Sequence, residues 1–247
     1  MDNTNSVLVF DGMDDYIEVS DNPVFSVTTT GQLAVSAWIR PDVLTFPTAQ
    51  GTGYVHWLGK GEPGQHEWVF RMYNQQTSDD QPRTNRISFY VFNLAGGQGI
   101  GSYFQEPVTA GEWIHVVGTV DGEHTAIYKN GEFKDCDRYN GSGPGKCHNY
   151  SPDRWIVPQR GNAPLRIGTR DLRSFFLGAI REVRIWQRAL TADEVSGLHA
   201  GTVQEDGLVA QYLLHNDIAV DSAGSHDGSI FGATWLSSSA AFWRQNG

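Results

Sequence analysis

Gly111-Glu112-Trp113-Ile114-His115-Val116-Val117-Gly118-Thr119-Val120-Asp121-Gly122 decides the fold, together with Ala126-Ile127-Tyr128-Lys129-Asn130-Gly131-Glu132-Phe133 a few residues on. Ile114 and Val116 alternate with Trp113, His115 and Val117, which is the period of a strand. Asp121-Gly122 is a turn pair, Thr125 to Lys129 reads as a second strand, and Asn130-Gly131 is another tight turn. Three strands on two short turns predict a meander at the centre of an antiparallel sheet.

The same alternation runs outward on both sides. Val7 to Phe10 reads as a strand, 11–15 (Asp-Gly-Met-Asp-Asp) as a turn, and Tyr16 to Val19 as the returning strand of a hairpin. Glu67 to Tyr73 sets Trp68, Phe70 and Met72 against Val69, Arg71 and Tyr73. Arg86 to Asn93 sets Ile87, Phe89 and Val91 against Arg86, Ser88, Tyr90 and Phe92. A solvent face needs polarity but has no need of aromatics, so the Arg/Tyr side of these two strands is a candidate recognition surface. Leu165 to Gly168 reads as a strand and Phe176 to Trp186 as a strand pair. Thr191 with Glu194 three residues later is a capping box, which predicts one short helix.

Composition narrows the class. Twenty-eight Gly and ten Pro in 247 residues fit many turns, and 39% hydrophobic residues can fill the core of one β-sandwich spanning 1–247. The formal net charge of −10 argues against nucleic acid, whose phosphates need a basic surface, and more weakly against highly anionic glycans. No apolar run is long enough to span a membrane. Residues 134–160 form a polar insertion carrying Cys136 and Cys147, and a loop of this length in a compact domain is commonly functional. The Gly- and Asn-rich segment between the cysteines closes easily, so a disulfide in an oxidising compartment is expected, with two free thiols as the alternative. Paired cysteines imply an extracellular or secreted protein. Met1-Asp2-Asn3-Thr4-Asn5 has no signal-peptide pattern, which fits either a mature module behind a new Met or a cytosolic chain.

Several segments, in order, resemble the laminin-G-like, concanavalin-A-like lectin/glucanase jelly rolls. They are the W-I-H-V-V…D-G…Y-K-N-G core, F-D-G-M-D-D-Y-I-E-V at 10–19, L-A-V-S-A-W-I-R-P at 33–41, F-L-G-A-I-R-E-V-R-I-W at 176–186 and R-A-L-T-A-D-E-V at 188–195. The resemblance implies an all-β antiparallel jelly-roll sandwich with Trp38 in the core. G-L-V-A-Q-Y-L-L from Gly207 resembles a segment that usually precedes the first of these motifs, so 203–236 is expected to complete the sandwich, with Phe242 and Trp243 covered. Members often hold a structural calcium near the early Asp turn. Asp11, Asp14 and Asp15, with Glu182 from the late strand, are the expected Ca2+ ligands; Asp217, Asp221 and Asp227 are a second acidic group.

The resemblance implies a recognition module. Sugars present apolar CH faces to aromatic rings and hydroxyls to Arg, Asn and His. Arg71, Tyr73, Arg86 and Tyr90 are therefore expected to bind a glycan or polysaccharide, with Trp57, His56, Asn93, Tyr103 and Trp155 at the rim. A protein-binding or adhesion module using the 134–160 loop is the alternative. Glycosidases of similar fold carry E-x-D-x-x-E or E-x-D-x-E on one strand, and no such run occurs. The chain is thus read as non-catalytic, with a polysaccharide lyase or glycoside hydrolase as the third alternative. His115, alone among apolar neighbours, is expected to be a satisfied structural histidine.

Overall fold

The computed structural model describes residues 6–78, 81–94, 98–214 and 218–237. In chain order these form β1 (Ser6–Asp11), β2 (Tyr16–Val19), β3 (Leu33–Pro41), β4 (Tyr54–Lys60), β5 (Trp68–Tyr73), β6 (Ile87–Phe92), β7 (Gly99–Tyr103) and β8 (Ile114–Val120). They continue with β9 (His124–Lys129), β10 (Glu132–Arg138), β11 (His148–Asn149), β12 (Leu165–Ile167), β13 (Leu177–Trp186), helix α1 (Ala192–His199), β14 (Leu208–Tyr212), β15 (Gly228–Phe231) and β16 (Thr234–Ser237). A nine-stranded sheet has the order β11-β10-β9-β8-β3-β13-β1-β16, with β14 on β13. A seven-stranded sheet has the order β15-β2-β12-β4-β5-β6-β7. The alternation predicted for β5 and β6 sends Trp68, Phe70, Met72, Ile87, Phe89 and Val91 into the core, where they meet Val35, Ala37, Ile39, Val116 and Ile180 of the other sheet.

The β8–β9–β10 meander stands where the opening stretch predicts it. Its second turn has positive φ at Asn130 and Gly131, the backbone that closes a two-residue hairpin. Helix α1 begins at the predicted capping box and buries Val195 and Leu198 against Ala34, Val117 and Trp186. Cys136 and Cys147 are bonded, with Cα atoms 4.8 Å apart. Among the described residues no helix is long and apolar enough to cross a membrane.

Three expectations are corrected. The segments on either side of the 11–15 turn do not pair with each other. β1 pairs with β13 and β16, and β2 with β12 and β15, so the turn carries the chain from one sheet to the other. Leu8 and Phe10 then reach the shared core from one side, and Ile17 and Val19 from the other. The expected strand pair at 176–186 is one strand, β13, bulged at Glu182, where φ is 54°; ladder partners along both its edges hold it extended through Gly178. Trp38 lies on the outer face of the nine-stranded sheet, because Val35, Ala37 and Ile39 take the inward positions of β3. Its ring rests 5.1 Å from that of His115 and 5.5 Å from that of His199. The C-terminal strands β14, β15 and β16 pair with β13, β2 and β1; Asp217, Phe242 and Trp243 lie outside the described residues.

Candidate functional site

The outer face of β4, β5 and β6 forms the floor of a cleft. Register puts His56, Arg71 and Ser88 side by side across it. The Arg71 guanidinium lies 4.6 Å from the ring centre of Tyr54, 4.5 Å from Tyr90 and 5.1 Å from Phe92. Cation–π attraction holds the charge over these faces and strengthens as water is excluded. Tyr90 and Phe92 can lie flat because their partners on β7 are glycines. A Cβ on Gly101 would come 2.7 Å from Tyr90, and one on Gly99 would come 2.5 Å from Phe92.

One wall is the 169–174 loop. Thr169 Oγ1 donates to the Ser174 carbonyl (2.7 Å) and accepts from the Leu172 N–H (3.2 Å), while Leu172 sits at φ 58°. This tight turn places Arg170 and Asp171 in the cleft, paired at 2.9 Å. Gln50 Nε2 donates to Asp171 Oδ1 (2.8 Å) and Ser174 Oγ (2.9 Å). Burial alone would raise the Asp171 carboxyl, but His56 and Arg170 together hold it well below the usual carboxylate range. Burial pushes His56 down to about 3, and burial with the Arg170 charge pushes His66 down to about 4, so both rings are neutral at neutral pH.

The other wall comes from the insertion, which supplies Tyr150 and Arg154. Tyr150 is braced by its hydroxyl, which donates to Asp137 Oδ1 (3.0 Å), and by Trp155 Nε1, which donates to its carbonyl (2.9 Å). Asn93 Oδ1 accepts from the Val157 N–H (3.1 Å) and ties the insertion to the end of β6. Arg83 and Arg173 complete a cleft of about 390 Å³. That volume lies within the range of small-ligand sites.

The expected binding residues separate accordingly. Arg71 and Tyr90 line the cleft. Tyr73 lies beneath it, 1% exposed, its hydroxyl accepting from Arg83 Nη1 (3.2 Å). Arg86 lies to one side against Tyr103, 5.9 Å from its ring centre. Asn93 and Trp155 brace a wall. Trp57 is corrected to a core residue: it is fully buried and stacked on Phe70 at 4.7 Å, because the ladder slips by one residue between His56 and Leu58. Tyr54, Phe92, Arg83, Tyr150, Arg154, Arg170, Asp171 and Arg173 were not singled out from the sequence as binding residues. Phe92 carried a signal, since it shares the Arg/Tyr face of β6. The Arg-Asp-Leu-Arg run at 170–173 has no periodicity to mark it.

Carboxylate oxygens of Asp11, Asp14 and Asp15 lie within 4.8 Å of one another. Asp11 Oδ1 accepts from the Met13 and Asp14 N–H groups, and Asp15 Oδ2 from the Asp11 N–H. Burial, reinforced by the charges of Asp11 and Asp14, raises the Asp15 carboxyl. Glu182 is corrected out of this group. Leu177 is the register partner of Asp11, so Glu182 lies five residues, roughly 16 Å, further along β13. There it pairs with Arg184. Asp221 accepts from the backbone N–H groups of Gln211, Ala223 and Gly224 and shapes a turn. Thr48 Oγ1 donates to the Gly12 carbonyl (3.0 Å) and accepts from the Phe175 N–H (2.8 Å), linking the Asp turn to the end of the arginine loop.

Two facing antiparallel sheets with a ligand-sized cleft on one outer face define a lectin-like jelly roll. Residues 11–196 match the laminin-G-like family model described as the concanavalin A-like lectin/glucanases superfamily, and the chain belongs to that family. No curated protein matches it. Among solved structures it is similar to a candidate carbohydrate-binding protein from Bacteroides ovatus (TM-score 0.62, 19% identity, 94% of this chain and 60% of that one). It is also similar to a heptameric SAP-like pentraxin from Limulus polyphemus (TM-score 0.59, 14% identity, 95% and 96%). A third is the ligand-binding domain of botulinum neurotoxin serotype D in complex with N-acetylneuraminic acid (TM-score 0.50, 13% identity, 80% and 42%). The chain thus spans about 60% of the length of the Bacteroides protein. At these identities the likeness is one of fold.

Proposed function

We propose that the chain is a non-catalytic carbohydrate-binding module whose ligand occupies the cleft over the seven-stranded sheet. The observation that carries this reading is the Arg71 stack, in which a guanidinium held on three aromatic rings is set into one ligand-sized space lined also by Tyr150. Rings receive the apolar faces of sugars, and the guanidinium, Gln50 and His66 meet hydroxyls. The descriptions of two similar structures, one carbohydrate-binding and one holding a sugar acid, support the same class. The insertion supplies a wall of this cleft, which favours the glycan reading over an adhesion loop acting alone. A glycan array tests it: selective binding by the folded protein, reduced by Tyr90→Ala in a variant that circular dichroism shows still folds, is the expected result. A silent array with folded protein would overturn the reading, and turnover of the bound glycan would overturn its non-catalytic part.

The Asp turn is proposed to hold a structural Ca2+. Two oxygens on one calcium lie at most about 5 Å apart, which the three carboxylates satisfy, and a cation would offset the burial and the neighbouring charges that raise Asp15. Asp11, Asp14 and Asp15 would hold it, stabilising the turn that Thr48 ties to the arginine loop. A chelator should then lower the melting temperature; an unchanged value removes the metal.

A further inference from the structure

The cleft is strongly cationic in a chain that is net acidic. Arg71, Arg154, Arg170 and Arg173 line it with Arg83, and Asp171 is the one carboxylate among its described lining residues. His66, held neutral, adds no charge. The unmet hydrogen-bonding capacity is equally lopsided. Arg170 is 3% exposed, and although its Nη2 meets Asp171, its Nε and Nη1 have no hydrogen-bond partner among the described residues; nor has Nε of Arg71. A desolvated guanidinium N–H without an acceptor is costly, and neutral hydroxyls return less of that cost than an anion does. Charge-assisted hydrogen bonds to an oxyanion are roughly twice as strong as neutral ones, and the planar fork of arginine matches a two-oxygen acid group. Aromatic rings stacked on these arginines, with Arg71 over three and Arg170 over Phe92 at 5.4 Å, hold the forks in place before a ligand arrives.

We infer that the cleft selects an anionic saccharide, one whose carboxylate or sulfate group is received by Arg71 and Arg170 while its ring lies against the partly exposed Tyr54 and Tyr150. This rests on the glycan-binding reading and goes beyond it by naming the ligand's chemistry. The formal charge of −10 does not oppose it, because charges beyond a Debye length of about 8 Å are largely screened and the local field of the cleft governs the bound group.

The test is calorimetric titration with oligosaccharides bearing carboxylates and others bearing sulfates, each beside its methyl-esterified, carboxyl-reduced or desulfated counterpart. The expected result is binding of an acidic member with at least a tenfold loss on neutralising its acid group. Which acid is bound identifies the source of the anion. Arg71→Gln should weaken that binding at least tenfold. Because buried positions tolerate change poorly, the exposed rim variants Arg154→Gln and Arg173→Gln are the second arm: each should weaken the acidic ligand several-fold, more at low salt than at high, and the neutral counterpart by less and without that salt dependence. Equal affinity for charged and neutral forms, or rim variants that leave the acidic ligand and its salt dependence unchanged, would overturn the inference and leave the glycan-binding proposal standing. Silence across neutral and acidic members alike would overturn both.

Discussion

The two outer faces of the sandwich use the same materials to different ends. On the nine-stranded sheet, Arg181 lies 4.6 Å over Trp38 and 5.1 Å over Trp113, beside the stacked rings of His115 and His199. On the seven-stranded sheet, Arg71 lies over Tyr54, Tyr90 and Phe92, with His56 beneath. Each face thus carries a caged guanidinium and a buried imidazole. The first face is closed by helix α1, which brings His199 onto Trp38 and packs Val195 and Leu198 on the sheet. Burial there lowers the Arg181 guanidinium to about 10. Among the described residues no α-helix covers the second face; its walls are the 169–174 loop and the disulfide-tied insertion, which leave a cleft between them. A cation–aromatic stack is therefore packing under a cover and a candidate site beneath an opening. The side chains alone do not decide which.

The largest effect that could break this comparison is acid stability, where the two faces should behave alike. Burial depresses His56 and His115 to about 3 each. A histidine depressed in the folded state keeps its full contribution above its unfolded pKa of about 6.5, and loses it as pH falls from there toward the folded value. Each should cost about 2 kcal/mol by pH 5. Asp137, raised to about 6 by burial and the Asp135 charge, works in the opposite sense between about pH 6 and 3.8 and offsets part of this. In urea unfolding at pH 7 and 5, His115→Phe should remove about 2 kcal/mol of the acid-induced loss. An unchanged slope would show that His115 already carries a proton in the folded protein.

The cover itself comes next, set against the roughly 4 kcal/mol of the two histidines together. Opening the Cys136–Cys147 bridge with the Cys136→Ala, Cys147→Ala double variant should cost about 3 kcal/mol from the short loop it closes. It should also weaken the glycan, since Tyr150 and Arg154 lie just beyond that loop. Lost stability at full affinity would show that the insertion does not shape the site. The arginines come third: Arg71→Ala should weaken binding tenfold or more, about 1.4 kcal/mol, whereas Arg181→Ala should leave affinity unchanged and lower the melting temperature. Equal effects on binding would dissolve the distinction between the faces. The smallest effect is Thr191→Ala, which removes the helix cap and should cost about 1 kcal/mol in denaturant unfolding with no change in affinity.

The meander, the faces of β5 and β6, the helix cap and the Cys136–Cys147 pairing were all legible in the sequence. Each is local: a period of two, a positive-φ turn, a capping box, a short loop closed by two thiols. Arg71 and Tyr90 were legible for the same reason, as alternate residues facing away from an apolar stripe. Pairing between distant segments was not. The 11–15 turn reads as a hairpin whether β1 and β2 join one sheet or two, and only the ladders with β13 and β12 settle it. Trp57 alternates with its neighbours until a one-residue slip turns it inward, and Glu182 matches a motif while lying far from the turn it was expected to serve. The cleft depends most on tertiary structure. Arg154 and Arg170 come from loops without periodicity, and an arginine in a loop is an ordinary solvated charge until folding sets it at the cleft and, for Arg170, takes away its water. Sequence by itself determined which side chains point out of β5 and β6. Tertiary structure decided which of those faces stays open, because cover and charge are set by segments far apart in the chain.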